Sequence, residues 1–555
     1  MENYKNLWGL RDLRLKYPEY YTNNSAKMQM ARLRDGKEAT PPSWFYENIK
    51  DKKEIANHWL SVLNQENYPG KEKIANWETS KLEKFAPQGL VAPFEERIHY
   101  FNEYFEHTDK PSAFNSPLWI MAKEAAVTAL QLHGQLTPWS PAKVIRQGQL
   151  GNKYDTNSGY PLFAKRKRKI VIDETIPQVK NSILNEFPST TGSRASMGKT
   201  GDKARFIFMS SFAVNIKGQQ FTGPLQEHIR ALHLPFFLPW EGYDKVAGDI
   251  KNMLNNSASP LRPNQNRILL FGTDYEKMDQ HFNKWHALEV YDVIKHAFPQ
   301  YYHKVLKESI LYIFQQHTVI PDYYTTAEHS LLSGSEWTNL IETIFDFILM
   351  KFLDQQHMRF STTWYIKRAY AIGDDQLYLI LPKYYSRPLL DCDIENITKF
   401  VVETFRAVGM EANVEKQEVS FTTTTFLQRL INYSSDQTWQ IGVYPIIRNL
   451  TSQVYPEFYH NEEIWDKYTF ALRVLMICEN CKDHPLFKQY ARYCYNSNPA
   501  CAEFMANAER RSRAILASRS ISHFLPSYTG ANLTDQLAKE GIESFKTFKE
   551  WSEMR

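Results

Sequence analysis

Two apolar runs, 364–372 and 377–381, are separated by the tripeptide Gly373-Asp374-Asp375. A Gly-Asp pair between apolar runs is typical of a tight β-hairpin turn. The pattern predicts two antiparallel strands that carry two carboxylates at their tip. Carboxylates about 4 Å apart repel by several kcal/mol at an effective dielectric constant near 20. Such a tip needs a bound proton or a counter-cation, although on its own the tripeptide is also an ordinary turn.

A third aspartate lies at the end of another apolar run. The apolar residues 268–271 lead to Thr273-Asp274, and apolar residues then recur every three or four positions from 278 to 298. This pattern predicts a short buried strand followed by a helix, with Asp274 at the strand end and Asp279 in the first helical turn. Asp279 alone is also a common helix N-terminal acid. Acids at several strand ends predict a Mg²⁺ site, because Mg²⁺ prefers oxygen ligands and meets substrate phosphates there.

A Ser-Gly pair lies between these acids in the sequence. Ser333-Gly334 precedes a second helical pattern whose apolar stripe runs from Trp337 to Phe352, and whose other face carries Asn339, Glu342 and Asp346. Small residues and free backbone N–H groups suit the close approach of a phosphate-sugar backbone. An ordinary helix N-cap is the alternative interpretation.

The basic residues are clustered. The 555-residue chain has a formal net charge of only +4, yet residues 143–205 hold 13 Lys/Arg against five Asp/Glu, a local balance of +8. A concentrated positive surface attracts a polyanion, most often a nucleic acid; a solvated surface is the alternative. With 43% hydrophobic residues the chain is no disordered protein. Five cysteines, no apolar signal segment and no run of about 18 apolar residues predict a soluble intracellular protein.

The remaining patterns give a coarse outline of the chain. Residues 1–85 are polar and broken by prolines, with few long periodic stretches, which predicts an extension that wraps another surface or a small domain. A helix is predicted over 118–132, a loop-rich stretch over 135–161, and a hairpin from strands at 426–431 and 439–443. Beyond about residue 460 the sequence predicts helices.

The order of these motifs resembles motifs A, B and C of the palm in viral RNA-dependent RNA polymerases: Asp-x4-Asp, then Ser-Gly-x3-Thr, then Gly-Asp-Asp. The spacings agree, with 59 residues from Asp274 to Ser333 and 41 from Ser333 to Asp374. Four further segments resemble motifs G, F, D and E of that family, at 157–161, 203–207, 409–416 and 426–429. In detail the chain resembles the picobirnavirus and partitivirus enzymes. Many positive-strand virus polymerases have Asn nine residues after the motif B serine, where this chain has Glu342.

The resemblance implies an α+β right-hand fold with an antiparallel palm sheet flanked by helices, and a helical thumb. It divides the chain into an N-terminal extension bridging fingers and thumb (1–85), fingers with motifs G and F (86–230), palm with motif A (231–281), a fingers insertion (282–330), palm with motifs B to E (331–432), and thumb with a C-terminal tail (433–555).

The resemblance also implies a role for each matched residue. Asp274 and Asp374 bind two Mg²⁺ ions, which Mn²⁺ can replace, and Asp375 assists them. Asp279, Ser333 and Thr338 sense the ribose 2′-hydroxyl, with Asn339 in contact, because that group distinguishes RNA from DNA. Lys203 and Arg205 hold the triphosphate, and Lys416 protonates the leaving pyrophosphate. The residues expected to contact RNA are Ser158, Gly159, Arg194, Lys199, Gly334 and Arg429.

The implied reaction is attack of an RNA 3′-hydroxyl on the α-phosphate of a nucleoside triphosphate, which replicates and transcribes a viral RNA genome. The implied partners are template and product RNA, nucleoside triphosphates and a viral capsid protein, with no membrane. The implied locations are the virion interior and the host cytoplasm.

Alternative interpretations remain. A reverse transcriptase usually has an aromatic residue two positions before its Asp pair, where this chain has Ile372. An inactive RNA-binding protein on a polymerase fold would have lost some of the acids. Residues 192–200 nearly spell a P-loop, but five residues separate the glycines instead of four, so a basic finger loop is predicted. Cys478 and Cys481, with His484 and Cys494 nearby, resemble a zinc site less than a set of buried thiols.

Overall fold

A computed structural model of the chain describes residues 6–45, 49–106, 108–151, 153–180, 187–195, 200–255, 268–360, 363–384, 387–412, 417–434, 438–457, 465–519, 521, 524–525 and 533–555. The strands in these residues are β1 (Leu7–Trp8), β2 (Ser189–Arg194), β3 (Arg205–Met209), β4 (Leu269–Thr273), β5 (Thr318–Ile320), β6 (Tyr323–Thr325), β7 (Trp364–Ile372), β8 (Asp375–Pro382), β9 (Glu418–Ser420), β10 (Thr423–Phe426), β11 (Arg429–Tyr433) and β12 (Trp439–Val443).

The α-helices of the described residues are α1 (Leu10–Lys16), α2 (Glu19–Thr22), α3 (Asn24–Asp35), α4 (Lys53–Gln65), α5 (Lys71–Thr79), α6 (Phe94–Asn102), α7 (Pro117–Ala129), α8 (Pro141–Leu150), α9 (Lys169–Lys180), α10 (Phe212–Ala231), α11 (Tyr243–Asn255), α12 (Met278–His281), α13 (Lys284–Ile294), α14 (His303–Tyr312), α15 (Thr338–Phe360), α16 (Asp391–Ala407), α17 (Ile446–Val454), α18 (Lys467–Cys478), α19 (Phe487–Asn496), α20 (Pro499–Ala506), α21 (Ala508–Ser518), α22 (Leu533–Glu540) and α23 (Lys546–Glu553).

The central sheet has the order β7-β8-β4-β9, and all of its neighbours are antiparallel. Its inner strands β4 and β8 have runs of consecutive buried residues. Because successive side chains of a strand point to opposite sides, these two strands are buried on both faces. Leu269 and Phe271 of β4 pack with α7, α13 and α15, whereas Leu270 packs with α11 on the other side. The β7–β8 hairpin, the strand before Asp274 and the helix predicted after Ser333 are confirmed. The single helix predicted from 278 to 298 is instead divided into α12 and α13, because Phe282 has an extended backbone and Asn283 caps α13.

A second sheet has the order β1-β6-β5-β2-β3. In it β2 pairs with β3 in antiparallel fashion and with β5 in parallel. Residues 192–194, predicted as the start of a basic loop over 192–200, therefore belong to a strand that begins at Ser189. Four buried residues of β2 lie on both faces of that strand, so an alternating apolar pattern was absent from the sequence.

The third sheet, β10-β11-β12, corrects the predicted hairpin at 426–431. The strand does not run through these residues, because Leu427 and Gln428 have φ angles of 49° and 62° and form a turn. β10 therefore ends at Phe426 and β11 begins at Arg429. The pairing of β11 with β12, up to Val443, agrees with the prediction.

Two helical predictions also need correction. Residues 1–85 have more regular helix than predicted, including α3 and α4 of 12 and 13 residues. The stretch 135–161, predicted as loop, contains α8; Ser140 caps this helix and Pro141 is its first residue. A Ser-Pro pair is a helix start signal. The helix predicted over 118–132 is confirmed as α7, and the helices predicted beyond residue 460 are confirmed as α18 to α23.

The N-terminal residues complete two separate cores. Leu13, Tyr20 and Met30 are buried with Phe206 and Phe208 of β3. Residues 45–85 contribute to a different core, formed mainly by α17 to α23. Cys478, Cys481 and Cys494 are buried free thiols in that second core, as predicted, and Cys501 is buried there as well. Within the described part of the chain, every helix is too short or too polar to traverse a lipid bilayer.

Candidate active site

The strand register brings the predicted acids to one edge of the central sheet. Thr273 at the end of β4 is paired with Gln376 in β8. Asp274 follows Thr273 and Asp375 precedes Gln376, so the two aspartates stand at facing ends of adjacent antiparallel strands. Opposite residues of such strands have Cα atoms about 4.5–5.5 Å apart. Asp374, the residue before Asp375, lies in the turn of the hairpin and is exposed.

The hairpin turn is fixed by the helix beneath it. Ile372 pairs with Asp375, which leaves Gly373 and Asp374 as the two turn residues, and Gly373 has a φ angle of 57° that favours glycine. The backbone N–H of Gly373 donates to Oγ1 of the buried Thr343 in α15, with N and O 3.0 Å apart. This bond ties the turn that carries Asp374 to the helix that follows motif B.

Three further acids lie behind the turn, and the charge of Asp374 acts on all of them. Asp279 follows the end of β4, whereas Glu342 and Asp346 lie one turn apart on α15. Glu342 and Asp346 are buried. Burial, followed by the charge of Asp374, raises the pKa of Asp279 to about 6, even though Arg205 acts in the opposite direction. Burial and the charges of Asp279, Asp374 and Asp346 raise the pKa of Glu342 well above its ordinary value.

Asp279 and Glu342 also act on each other. Their mutual side-chain interaction lowers the pKa of Asp279 and raises that of Glu342. Two neighbouring carboxyl groups repel each other when both are ionised, so the pair is costly to bury.

Asp346 is the deepest of these acids. The Tyr275 hydroxyl donates to its Oδ1 over 2.6 Å, whereas Oδ2 has no hydrogen-bond partner among the described residues. Burial, and then the charge of Asp374, raises the pKa of Asp346, against the effect of the tyrosine. Tyr275 directly follows Asp274, so this bond joins motif A to α15 from below.

A basic segment at the start of β3 approaches the acids through Arg205. Lys203 and Arg205 are exposed and flank the buried Ala204. Arg205 is close enough to Asp279 to lower its pKa. The segment is held by Arg97, fully buried, which donates from Nη1 to the Ala204 carbonyl over 3.1 Å and stacks on Phe206. Burial lowers the pKa of Arg97 to about 10.

The Ser-Gly loop contacts β3 directly. A Cβ at Gly334, where φ is 94°, would overlap the Phe208 carbonyl oxygen, so only glycine fits at this position. The Ser333 hydroxyl is buried and has no hydrogen-bond partner among the described residues, which suits a group that awaits a ligand. The Thr338 hydroxyl donates to the Leu332 carbonyl over 3.2 Å and thereby closes the loop. The Asn339 side chain accepts from the Trp240 indole over 3.1 Å.

The residues predicted to contact RNA differ in exposure. Arg194 is exposed and pairs with Glu457, with Nε and Oε1 3.0 Å apart. Ser158 is buried, and its Oγ accepts from the Ala164 N–H, so this side chain shapes the turn at Gly159. Lys199 lies outside the described residues.

Arg429 needs a correction. Only 2% of this residue is exposed. Its Nη1 donates to the carbonyls of Gly442 and Asn480 over 3.2 and 2.8 Å, and its guanidinium lies over the rings of Tyr243 and Tyr444. Arg429 thus joins β11 to the helical region, and its burial leaves no surface for a phosphate. The sequence pattern gave no signal of this burial.

Lys416 lies outside the described residues, but both flanks of 413–416 contact motif A. The Glu276 N–H donates to the Glu411 carbonyl over 2.8 Å, and Tyr275 forms a bridge with Ala412. On the other side, Nε2 of Gln417 donates to Oγ1 of Thr273 over 2.8 Å. Lys416 is the residue before Gln417.

The carboxylates at the sheet edge suit Mg²⁺ shared with a substrate. In the ranges described above, no three His, Cys, Asp or Glu side chains form a ready-made metal cage. Mg²⁺ is usually held by one or two carboxylates together with substrate phosphates and water, and does not require such a cage. Asp274, Asp375 and the exposed Asp374 offer those oxygens. Behind them, burial first and then the charges of neighbouring acids, Asp374 among them, raise the pKa values of Asp279 and Glu342.

Three supporting residues escaped the sequence analysis. Thr343 holds the hairpin turn, Arg97 holds the basic segment, and Trp240 holds Asn339. Thr343 directly follows Glu342, and its polar side chain within an apolar helix was a usable signal. Arg97 and Trp240 reach the site from distant segments, and no local pattern marks them.

No protein-family model matches the sequence. The chain is 25% identical over 459 residues to a potential RNA-dependent RNA polymerase of human picobirnavirus, which covers 76% of each protein. Its fold is similar to the crystal structure of the RNA-dependent RNA polymerase of a human picobirnavirus, with a TM-score of 0.75, 20% identity and coverage of 98% and 99% of the two chains. A mutant of such a polymerase without its insertion loop gives a TM-score of 0.72 at 21% identity.

These likenesses confirm the α+β right-hand fold and favour the picobirnavirus over the partitivirus resemblance. The chain has the fold of the picobirnavirus RNA-dependent RNA polymerases and resembles them in sequence over three quarters of its length.

Proposed function

We propose that the chain is an RNA-directed RNA polymerase that adds nucleotides to an RNA 3′-hydroxyl on an RNA template. The observation that carries this proposal is the register of β4 and β8, which places Asp274 and Asp375 at facing strand ends beside Asp374. The basic segment with Lys203 and Arg205 faces the same edge through Arg205. The likeness to picobirnavirus polymerases supports the RNA template and the ribonucleotide substrate.

Each part of the site has a role in this reaction. Asp274 and Asp374, with Asp375, would hold two Mg²⁺ ions, which activate the attacking hydroxyl and stabilise the leaving oxygen when bound. Lys203 and Arg205 neutralise the triphosphate, and Arg205 also fixes Asp279 by its charge. Asp279, Ser333 and Thr338 surround the position for a ribose, with the unpartnered Ser333 hydroxyl as the clearest support.

We assign the protonation of the leaving pyrophosphate to Lys416. A lysine with an ordinary pKa near 10.4 is protonated at neutral pH and can donate that proton. The support is that Gln417, the next residue in the sequence, donates from its side chain to Thr273, the residue before Asp274. Lys416→Leu should slow the chemical step by about 10²–10⁴-fold. Single-turnover incorporation measures that step, and an unchanged rate would remove Lys416 from the role.

The domain division is part of the proposal. Residues 7–33 pack with β3, and residues 45–85 pack with α17 to α23, which supports an N-terminal extension that bridges fingers and thumb. The exposed Arg194 and the Ser158-Gly159 turn remain candidates for RNA contact. A capsid protein as partner, and the virion interior and host cytoplasm as locations, follow from the resemblance alone.

Extension of a defined RNA template with labelled ribonucleotides tests the function, with and without Mg²⁺, Mn²⁺ and a primer. We expect template-dependent product that requires a divalent metal. Product from deoxyribonucleotides in preference to ribonucleotides would favour a reverse transcriptase. RNA binding without any product, under conditions where a picobirnavirus polymerase is active, would favour the inactive RNA-binding alternative.

A further inference from the structure

A buried arginine lies directly behind the basic segment that carries Lys203 and Arg205. Arg97, on α6, is fully buried. Within the described part of the chain, its three hydrogen bonds all end on neutral oxygens, of two backbone carbonyls and one hydroxyl. A buried cation that is met by neutral oxygens and not by a carboxylate is costly to keep, and costly buried charges often mark functional sites. The position of Arg97 therefore points to a role beyond packing.

Two donors of Arg97 hold the two ends of the turn that carries Lys203. Nη1 donates to the Ala204 carbonyl over 3.1 Å, at the end of the turn. Nε donates to the Ala92 carbonyl over 2.9 Å, and the Ala92 N–H in turn donates to the Gly201 carbonyl over 3.0 Å, at the beginning of the turn. The turn is therefore attached to α6 at both ends, directly at one and through a single peptide unit at the other.

The third donor of Arg97 fixes the strand pair next to this turn. Ser193 of β2 is paired with Phe206 of β3. Nη2 of Arg97 donates to Oγ of Ser193 over 2.7 Å, and the guanidinium lies over the Phe206 ring, with its Cζ 4.6 Å from the ring centroid. The backbone of Arg205 lies between the contacts at Ala204 and Phe206, so it is fixed on both sides.

We propose that Arg97 is a positioning residue that holds Lys203 and Arg205 at the spacing that receives the triphosphate of the incoming nucleotide. The inference rests on the proposed function and adds a residue outside the matched motifs. Lys203 and Arg205 are exposed on either side of the buried Ala204. Long exposed side chains lose rotamer freedom when they bind a ligand, and a fixed backbone lowers the cost of ordering them. Arginine suits this role because its donors point in fixed directions, whereas the lysine ammonium is a compact point charge.

The same conservative substitution at two buried arginines tests this role. Arg97→Lys keeps the positive charge and loses the planar fork of donors. Arg473→Lys is the matched control, because Arg473 is only 3% exposed, donates to the carbonyls of Phe524 and Ser452, and lies over the ring of Trp465 in the core of α17 to α23. Both variants should lower the free energy of unfolding, since each loses hydrogen bonds of a buried guanidinium.

The main readout is steady-state incorporation of a ribonucleotide on a defined RNA template. We expect Arg97→Lys to raise KM for the nucleoside triphosphate by about 10- to 100-fold, the effect of displacing binding groups by about 1 Å, with kcat per folded molecule within about threefold of wild type. Arg473→Lys should leave KM unchanged, because a loss of folded protein lowers the rate without changing KM. An unchanged KM in Arg97→Lys, or an equal rise in Arg473→Lys, would overturn the inference.

Hydrogen–deuterium exchange of the free protein gives a readout without turnover. The amides of residues 201–209 should exchange at least about fivefold faster in Arg97→Lys than in wild type, because the turn and β3 open more easily, and Arg473→Lys should not change them. Unchanged exchange in Arg97→Lys would overturn the inference. A wild-type protein that makes no RNA but shows this difference in exchange would contradict the proposed function and leave the attachment of the segment to Arg97 intact. The two failures are thus distinguishable.

Discussion

Buried acids in two regions of the molecule have opposite surroundings. In the core of α17 to α23, Glu78 and Glu479 are buried next to hydrogen-bond donors. In the central sheet region, Glu342 and Asp346 are buried next to other acids. Both regions bury carboxyl groups almost completely, with 0% and 2% exposure for the first pair and 7% and 0% for the second. The difference lies in what meets the oxygens.

Glu78 acts as a cap for a helix distant in the sequence. Its Oε1 and Oε2 accept from the backbone N–H groups of Ile446 and Ile447 over 2.6 and 2.9 Å. These are free N–H groups at the start of α17, where the preceding Pro445 provides no cap. His484 adds a contact, with Nε2 and Oε1 3.3 Å apart. A negative charge at a helix N-terminus is stabilised by those donors and by the helix dipole.

Glu342 and Asp346 have much less compensation: the Tyr275 hydroxyl donates to Oδ1 of Asp346, but both acids lie among other carboxyl groups. Oδ2 of Asp346 has no partner among the described residues, and the neighbours of both acids include Asp374. Poorly compensated acids are costly for folding and tend to mark functional sites. Burial alone therefore does not distinguish structural acids from functional acids. The number of hydrogen-bond donors around the carboxyl oxygens does distinguish them.

The largest effect is expected at the hairpin turn. Asp374→Asn should lower nucleotide incorporation by at least about 10³-fold, because the side chain faces the proposed metal ions. RNA binding and the free energy of unfolding should change little, since Asp374 is exposed and repels its acidic neighbours. Incorporation assays, RNA titration and denaturant unfolding measure the three quantities. Full activity with Mg²⁺ would contradict the site assignment.

The second prediction concerns Glu78, a buried acid of the other region, and tests whether its role is structural. Glu78→Ala should lower the free energy of unfolding by about 2–6 kcal/mol, because two buried backbone donors lose their acceptor, at about 1–3 kcal/mol each. Activity per folded molecule should stay close to wild type. Denaturant unfolding combined with active-site titration separates the two quantities. A stable but inactive variant would refute the structural role.

The third prediction is that loss of the carboxyl group of Asp346, unlike loss of that of Glu78, does not lower the free energy of unfolding at high pH. The folded-state pKa of Asp346 is raised, so this group favours folding below the ordinary carboxyl pKa near 4, and that contribution is lost as the pH rises toward the folded-state value. The loss is about 1.4 kcal/mol per pH unit. Asp346→Asn should therefore show a flatter stability profile and be at least as stable as wild type at pH 8. Urea unfolding from pH 4 to 8 measures this, and a less stable variant at pH 8 would contradict it.

The smallest effect is expected at Glu479, the second acid that we describe as structural. Glu479 accepts from the backbone N–H groups of Lys546 and Thr547 over 3.0 and 2.9 Å, and from the Thr547 hydroxyl. Glu479→Gln keeps the shape but loses the charge and one acceptor, and should cost about 1–3 kcal/mol of unfolding free energy. Thermal or denaturant unfolding measures it. If Glu479→Gln instead raised the free energy of unfolding, the number of hydrogen-bond donors around a carboxyl group would not be enough to identify a structural acid.

The acids of the site were predictable from the sequence, whereas most of the residues that hold them in place were not. The strand before Asp274 and the 364–381 hairpin depend on local apolar patterns and a turn signal, and both are confirmed. A strand pairing between them brings Asp274 to Asp375, and the motif order predicted that convergence. Glu342 lies on the face of α15 that is beneath the hairpin turn, next to Gly373.

What escaped prediction depends on contacts between distant segments. Arg429 has the local pattern of an exposed loop arginine, and its burial follows from Asn480 and Tyr444, which no local window contains. The turn at Leu427 also escaped, because it consists of two non-glycine residues with positive φ angles. Such backbone angles are uncommon for these residue types, and sequence patterns do not signal them.

The cap that Glu78 provides has a consequence for synthesis of the protein. Glu78 and Ile446 are 368 residues apart, so the cap forms only after most of the chain has left the ribosome. At about 5–20 residues per second, that interval is roughly 20–70 s. During this time the apolar side chains of α4 and α5 lack their final neighbours in α17 and α18. Those neighbours belong to the last fifth of the chain, so the apolar faces of α4 and α5 are without them for nearly all of its synthesis.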